Sequence, residues 1–298
     1  MNPKKVMIFL LISLFLAGTT FSCILFSNTM SVVNASAKAI KAIDSAAQEF
    51  KPEQEYYIGR AVAATILTSY KLYTEDQKLT SYLNNICAAI TINSSRPNIY
   101  NGYHVAMLDS NEINAFATSG GHIFVTRGLV NAAKSEDALA GVIAHEVAHI
   151  QLQHSIKVIK NSRTNKALSA TGTAVLVTGT AVVGTLASTD VSDLNNFTMA
   201  VNESVGEVVQ TLVDNGYSQN QEFEADNTAM SLMAGAGYDP SGLIDMLKSL
   251  SKVQKKGVGF GKTHPKPAQR ITNAKKTVGK YKVVDTSVRN ARYASMSK

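Results

Sequence analysis

Apolar residues recur every three or four positions between residues 53 and 90, which is the spacing of one helix face. A polar stretch at residues 73–76 interrupts the pattern. The sequence therefore predicts two helices, one on each side of this stretch. Their apolar positions are Ile58, Val62, Ile66, Leu67, Leu79, Leu83 and Ile86.

Two later segments carry helix-capping signals. Ser135 is a good N-cap and acidic residues follow it, so we expect a helix from there to about Ile159. Ser218 and Gln221 form a capping box, which predicts a further helix that ends at Gly235.

Short alternating, β-branched runs at residues 100–108 and 121–125 predict strands. Together with the helices they predict an α+β fold that is mainly α, with a small β-sheet. Residues 167–190 contain an apolar run without charge before Asp190. Because threonine and glycine dilute this run, we expect an insertion packed on the protein. The alternative is a multi-span membrane protein that uses this run and the N-terminus as spans.

The N-terminus reads as an export signal, because Lys4 and Lys5 precede an apolar run over residues 6–26. Three outcomes stay open. The signal is cleaved near Ala37, it is lipidated at Cys23, or it stays uncleaved as a membrane anchor. Each places the body of the protein outside the cytoplasm, in the periplasm or attached to a membrane and facing it.

Composition narrows the class of protein. The chain has 298 residues, of which 45% are hydrophobic and 17% charged, which excludes wholesale disorder. Two cysteines cannot form a disulfide framework. The net charge of +7 favours a nearby anionic surface such as lipid head groups, whereas the absence of tryptophan argues against nucleic acid as a partner.

The candidate chemistry lies in His145-Glu146-Val147-Ala148-His149. Residues four apart share a helix face, so both imidazoles can reach one Zn²⁺. Glu146 lies beside them and is placed to take a proton from water that the metal activates. A third histidine, His154, would lie about 140° further round a continuous helix, too far to join the same metal, so we expect a polar residue on the helix face or one that supports a ligand.

A catalytic zinc site needs three protein ligands, and the best candidate for the third is Glu222. Glu222 and Asp226 are four residues apart on a predicted helix. One of the two can bind the metal while the other accepts a hydrogen bond from a ligand histidine. Glu224 lies between them and is expected to point to solvent.

These motifs resemble those of the gluzincin metalloendopeptidases that include HtpX, the Oma-type proteases and the CAAX prenyl proteases. The resemblance is strongest to the soluble, exported bacterial subgroup. It extends over about residues 53–282 and implies a zincin-like domain with its β-sheet beside the zinc-binding helix. The motifs are His145–His149, Glu222 to Asp226, Asn114 to Ala117, Gly120 to Leu129, Ser135 to Asp137, and His264-Pro265 with Arg270.

The resemblance implies one Zn²⁺ per subunit, held by His145, His149 and Glu222, with Asp226 orienting a histidine. It implies that His264 and Arg270 stabilise the oxyanion. Two departures, Gln219 where relatives often have arginine and Ser119 where they often have proline, leave substrate preference open.

An extended peptide substrate pairs with an exposed strand edge. Either the segment at residues 114–117 or the strand at residues 120–125 can supply that edge. The residues singled out for substrate binding are Asn114, Ala115, Phe116, Ala117, Gly120 and Gly121.

We therefore expect three regions: a leader or anchor at residues 1–37, a metallopeptidase domain at 38–282 and a C-terminal tail at 283–298. The resemblance implies misfolded envelope proteins as substrates. The alternative function is a zinc-containing chaperone or assembly factor whose site is plugged and inactive.

Overall fold

The computed structural model describes residues 49–162, 165, 205–206, 208–253, 263–264 and 266–296. One compact unit comprises Glu49–Ile159 and Leu194–Lys298, and every element below belongs to it. Its elements are α1 (Pro52–Ser69), α2 (Gln77–Thr91), β1 (His104–Leu108), β2 (Ala115–Ala117), β3 (His122–Thr126), α3 (Arg127–Ala132), α4 (Glu136–Gln151), a π-helical turn (Gln210–Asn215), α5 (Gln219–Gly235), α6 (Ser241–Val253), α7 (Pro267–Val278) and α8 (Ser287–Met296).

The mainly helical α+β fold expected from the sequence is confirmed. The helices predicted on either side of residues 73–76 are α1 and α2, and the two predicted strands are β1 and β3. The leader at residues 1–37 and the insertion at residues 167–190 lie outside the described residues. No helix in the described ranges is both long and apolar enough to cross a bilayer.

The sheet has the order β1-β3-β2, with β1 parallel and β2 antiparallel to the central strand β3. Alternate side chains enter two different apolar clusters, as the two-residue period of a strand requires. One cluster joins this sheet face to α2, α4, α5 and α6. The other joins the opposite face to α1 and to the helical residues 156–159.

Helix α1 lies against the turn between β2 and β3. Gly120 and Gly121 in this turn have φ angles of 85° and 93°, which side-chain-bearing residues rarely adopt. A Cβ on Gly120 would lie 2.6 Å from Tyr56 Cα, and one on Gly121 would lie 2.1 Å from the carbonyl oxygen of Gly102. The glycine pair therefore lets the turn pack closely against α1 on one side and against Gly102 on the other.

Helix α4 begins where the sequence predicted, because the Ser135 side chain accepts a hydrogen bond from Ala138 N. It ends earlier than expected, at Gln151 rather than near Ile159. Gln153 adopts a left-handed conformation with φ 55°, which breaks the helix, and residues 154–162 are then helical again.

The C-terminal residues treated as a tail contain helix α8, which docks on the N-terminus of α4. Arg289 Nε lies 3.0 Å from Asp137 Oδ1, and Arg292 Nε donates to Glu136 Oε2 at 2.6 Å. Glu136 is completely buried, so it needs this partner. The two arginines therefore tie α8 to the helix that carries the candidate site.

Candidate active site

Helix α4 places His145 and His149 one turn apart on the same face, with both side chains buried. Their Nε2 atoms are 3.0 Å apart. This is the convergence that the four-residue spacing predicted.

Glu222 approaches the imidazole pair from helix α5. The capping box at Ser218 and Gln221 starts this helix, so Glu222 lies in its first turn. Glu222 Oε2 lies 3.6 Å from His145 Nε2, and Oε1 lies 3.6 Å from His149 Nε2. The glutamate is completely buried.

The separations among these three side chains fit Zn²⁺. Bonds of about 2.0–2.1 Å at tetrahedral angles place ligand atoms about 3.3–3.4 Å apart. The observed separations, 3.0 and 3.6 Å, lie on either side of that value. Two imidazole nitrogens and one carboxylate are also the donor set that catalytic zinc sites use.

The surroundings of the two imidazoles shift their pKa values in opposite directions. Although burial and Arg270 lower it, hydrogen bonds with Asp226 and Glu222 raise the pKa of His145 to about 9. Burial and the neighbouring His145 hold the pKa of His149 well below its usual range. The buried carboxylates of Asp226 and Glu222 therefore favour positive charge at the His145 ring.

Asp226 and Arg270 lie behind the ligand residues. Asp226 Oδ1 is 3.0 Å from His145 Nδ1, as expected for a residue that orients a ligand histidine. Arg270 donates to Asp226 through Nε at 2.8 Å and Nη2 at 2.6 Å, and its Nη1 lies 2.8 Å from Glu222 Oε2. Burial opposes ionisation, but the charges of His264 and Arg270 hold the pKa of Glu222 well below its usual range.

Glu146 is buried beside the ligands, and burial raises the pKa of its carboxyl group. Its Oε1 makes no hydrogen bond to the described residues, and the nearest ion-pair distance is 3.5 Å, to His264 Nε2. The carboxylate is thus placed to accept a proton from a small molecule in the site.

His264 enters the cluster more deeply than the sequence indicated. Its Nδ1 lies 3.1 Å from Glu222 Oε1 and 3.3 Å from His145 Nε2. One ligand atom from each of His145, His149, Glu222 and His264 lies within 4.8 Å of the others. His264 therefore has the geometry of a fourth ligand, and its other ring nitrogen, Nε2, faces Glu146.

Of the two strands considered for peptide binding, β3 is central and has a neighbour on each side, whereas β2 lies at the sheet edge. Asn114 O accepts from Thr126 N in β3, so the backbone groups of Ala115 and Ala117 face the opposite side. Asn114 itself is buried, and its Oδ1 accepts from Ala115 N and from Thr263 Oγ1, one residue before His264.

The remaining residues proposed for substrate binding do not lie on an open edge. Phe116 packs into the apolar cluster beneath α1. Gly120 and Gly121 form the close-packed turn described above. Of β2 and β3, only β2 thus has an edge that no described strand covers, and its three residues are buried.

Of the further residues around His149, Tyr217 was not singled out from the sequence, His154 was set aside as a direct metal ligand, and Glu224 was expected to face solvent. Tyr217 stacks on the His149 ring with a centroid separation of 4.3 Å and an interplanar angle of 18°. His154 Nδ1 lies 2.8 Å from His149 Nδ1, and Glu224 Oε2 lies 3.2 Å from His154 Nε2. The sequence marks His154 only as a polar residue in an otherwise apolar helix. The helix break at Gln153, which turns His154 inward, cannot be recognised from the neighbouring residue types.

Comparisons with known proteins agree with this geometry. The model of peptidase family M48 matches residues 74–278. A beta-barrel assembly-enhancing protease of Yersinia pestis is 24% identical over 210 residues, 70% of this chain and 40% of that protein. Metalloprotease LoiP of Escherichia coli is 31% identical over 60% of this chain and 65% of its own. The mitochondrial metalloendopeptidase OMA1 of Schizosaccharomyces pombe is 30% identical over 53% of this chain and 41% of its own.

The matched region covers only part of the length of each of these relatives. The chain spans less than half the length of the beta-barrel assembly-enhancing proteases that it matches. The family model, in contrast, covers the whole stretch from α2 to α7, including all the residues that converge at the candidate metal site. The chain therefore belongs to peptidase family M48.

Proposed function

We propose that this chain is a zinc-dependent metalloendopeptidase. The observation that carries the proposal is the convergence of His145, His149 and Glu222 at tetrahedral separations beside the buried Glu146. When bound by these three residues, Zn²⁺ supplies a Lewis acid that activates water and polarises a peptide carbonyl.

Glu146 is the general base in this proposal. A buried carboxylate with a raised pKa takes a proton from water more readily than an exposed one, and can return it to the leaving amine. No structural zinc site needs such a base, so its presence favours catalysis over a purely structural metal.

His264 is the residue that we assign to the developing oxyanion, because its Nε2 lies 3.5 Å from Glu146 Oε1 beside the ligand cluster. Arg270 is assigned a different role from the one implied by the family resemblance. Its nitrogens bind Asp226 and Glu222, so it balances the charge of the carboxylates rather than contacting substrate.

The peptide substrate is proposed to pair with β2. The backbone groups of Ala117 and the carbonyl group of Ala115 face away from β3 and can pair with an extended peptide, whereas Ala115 N already donates to Asn114 Oδ1. Asn114 supports that strand through its bond with Thr263, which precedes His264.

The decisive variant is Glu146→Gln. It should bind zinc in wild-type stoichiometry and cleave casein at least about 100-fold more slowly, because the amide cannot accept the proton. Zinc content by elemental analysis and casein cleavage are measured on the same full-length preparation.

The matched control is Glu75→Gln, the same change at an exposed glutamate, which should leave cleavage unaltered. Removal of zinc with a chelator should abolish wild-type cleavage, and added zinc should restore it. Full cleavage by Glu146→Gln, or by the chelated protein, would disprove the mechanism.

One observation favours the alternative function, a chaperone or assembly factor with a plugged site. His264 Nδ1 lies within coordination range of the ligand cluster, where it would fill the position that catalysis needs open. A preparation with one zinc per chain and no cleavage of casein in the wild type, together with cleavage in His264→Ala, would support the plugged form.

We further propose envelope proteins as the substrates and an exported location. The apolar N-terminal run with two lysines supports export, and the name of the Yersinia pestis relative connects that protein to β-barrel assembly. Extraction of the protein from membranes by salt would indicate a cleaved leader, whereas extraction only by detergent would indicate an anchor or a lipid at Cys23. Recovery of the full chain in the cytosolic fraction would contradict export.

A further inference from the structure

The two metal-binding histidines are held in different ways at the ring nitrogen that faces away from the metal position. His145 Nδ1 lies 3.0 Å from a carboxylate oxygen of Asp226. His149 Nδ1 instead lies 2.8 Å from Nδ1 of another imidazole, His154. No carboxylate of the described residues takes the place of Asp226 at His149.

The break in the helix brings His154 to this position. A continuous helix would turn a residue five positions past His149 away from it by about 140°. The left-handed conformation of Gln153 redirects the chain, so that His154 returns to the His149 ring and is completely buried. Tyr217 packs on the face of His149, so the ring is held from two directions.

The ring nitrogens of His149 and His154 that carry protons follow from which His149 nitrogen faces the metal position. Because His149 presents Nε2 to the metal position, its Nδ1 carries the proton and donates it in a hydrogen bond. His154 Nδ1 must then accept, which places the His154 proton on Nε2. That nitrogen faces Glu224 Oε2 at 3.2 Å, so the chain of hydrogen bonds ends at a carboxylate.

We propose that His154 and Glu224 are positioning residues for zinc, acting through His149. The inference rests on the proposed zinc site. His154 holds the tautomer and the orientation of His149, and Glu224 holds the tautomer of His154. Glu224, expected from the sequence to face solvent, is half exposed, so the relay runs from the buried ligand cluster to the protein surface.

This arrangement makes a quantitative prediction for metal binding. Residues that orient a metal-binding histidine contribute about 10- to 100-fold to metal affinity. We expect His154→Leu, which keeps the volume and removes the acceptor, to weaken zinc binding by this factor. The asparagine side chain can present its oxygen near the position of Nδ1, so His154→Asn should restore most of the affinity.

The experiment measures the zinc dissociation constant of each full-length variant by competition with a chromophoric chelator. The absorption spectrum of the Co²⁺-substituted protein reports the ligand geometry, and kcat and KM for a peptide are measured separately. Ser231→Ala, at an exposed position on the same helix as Glu224, is the control. The melting temperature in excess chelator reports whether each zinc-free variant folds.

The proposal is supported if His154→Leu binds zinc at least tenfold more weakly, kcat falls more than KM rises, and His154→Asn recovers both. Glu224→Ala should then show the same effects, smaller because water can replace a half-exposed carboxylate. If His154→Leu fails to fold, the comparison of His154→Asn and Glu224→Ala with wild type decides the question by the same readouts.

The proposal is overturned if His154→Leu binds zinc as tightly as wild type, or if His154→Asn behaves no better than His154→Leu. The second result would show that only the volume of the side chain matters. Absence of zinc binding by the wild-type chain would instead contradict the proposed function, so the two failures are distinguishable.

Discussion

Arg270 is the residue on which the electrostatics of the site depend. Its side chain is completely buried, and it contacts two carboxylates that are also buried. Charged groups in such an environment are tolerated only when they are paired. Glu222 and Asp226 therefore stay charged inside the protein, because Arg270 balances their charge. The same two carboxylates raise the pKa of Arg270, although burial lowers it.

Replacing this arginine should cost much of the stability of the fold. We expect Arg270→Met to lower the free energy of unfolding by about 3–5 kcal/mol, because it leaves the buried carboxylates without their counter-charge. Urea unfolding in excess chelator measures the loss apart from metal binding.

The matched control is Arg127→Met, since the Arg127–Asp109 ion pair is 37% and 43% exposed. That change should cost less than about 1 kcal/mol, as surface ion pairs do. Equal losses in the two variants would show that Arg270 has no special electrostatic role.

At the scale of elements, helix α4 is the centre of the domain. It is buried along almost its full length, with β2 and β3, α5 and α6 packed around it. One close approach is at Gly141, where a Cβ would lie 2.8 Å from Leu243 Cα in α6. The backbone of α6 can come this close only because position 141 has no side chain.

Gly141→Ala should therefore destabilise the protein although alanine is the better helix former. The gain in helix propensity is about 1 kcal/mol, whereas overpacking at a rigid backbone contact costs about 1–3 kcal/mol or more. We expect a net loss of stability, measured by urea unfolding, and a weaker zinc site if α4 shifts.

Gly279→Ala is the control for this helix experiment. Gly279 has φ −65°, and a Cβ there would meet no atom within 4 Å. The change should be neutral or stabilise by up to about 1 kcal/mol. A stabilised Gly141→Ala variant would mean that α4 and α6 are not packed as closely as the structure indicates.

At the scale of the whole molecule, buried groups that stay neutral shape the dependence of stability on pH. Burial, with a neighbouring carboxylate, raises the pKa of the tyrosines Tyr70 and Tyr82. Burial also raises the pKa of Tyr217 and raises that of the Cys87 thiol to about 12. All four groups therefore hold their protons in the folded state at pH values where the unfolded chain releases them.

The sign of the effect follows from proton linkage. Because the folded-state pKa values exceed the unfolded value of about 10 for tyrosine, the stability is fully present below about pH 10 and is lost as the pH rises further. We expect the free energy of unfolding to fall steeply above about pH 10. Urea unfolding at a series of alkaline pH values measures this slope.

Tyr82→Phe should make the alkaline decline shallower, because one group that must stay protonated has been removed. Tyr57→Phe, the same change at a tyrosine that is 43% exposed, should leave the slope unaltered. An identical slope in wild type and Tyr82→Phe would contradict the linkage.

The sequence alone determined the parts of this protein that depend on short-range spacing. The interval of four residues brings His145 and His149 onto one face, and the capping residues start α4 and α5 where they were expected. Both features depend on the geometry of a single helix turn, which the local sequence specifies.

The groups from distant parts of the chain that surround those residues follow from tertiary packing. The packing of separate segments brings Arg270 to the carboxylates and His264 within ligand distance. The break at Gln153 turns His154 back onto His149. A sequence pattern specifies neighbours along a helix, whereas these contacts join residues whose separation is set by how whole elements pack. The docking of α8 on α4 through Arg289 has the same origin, since its partner lies 152 residues away in the chain.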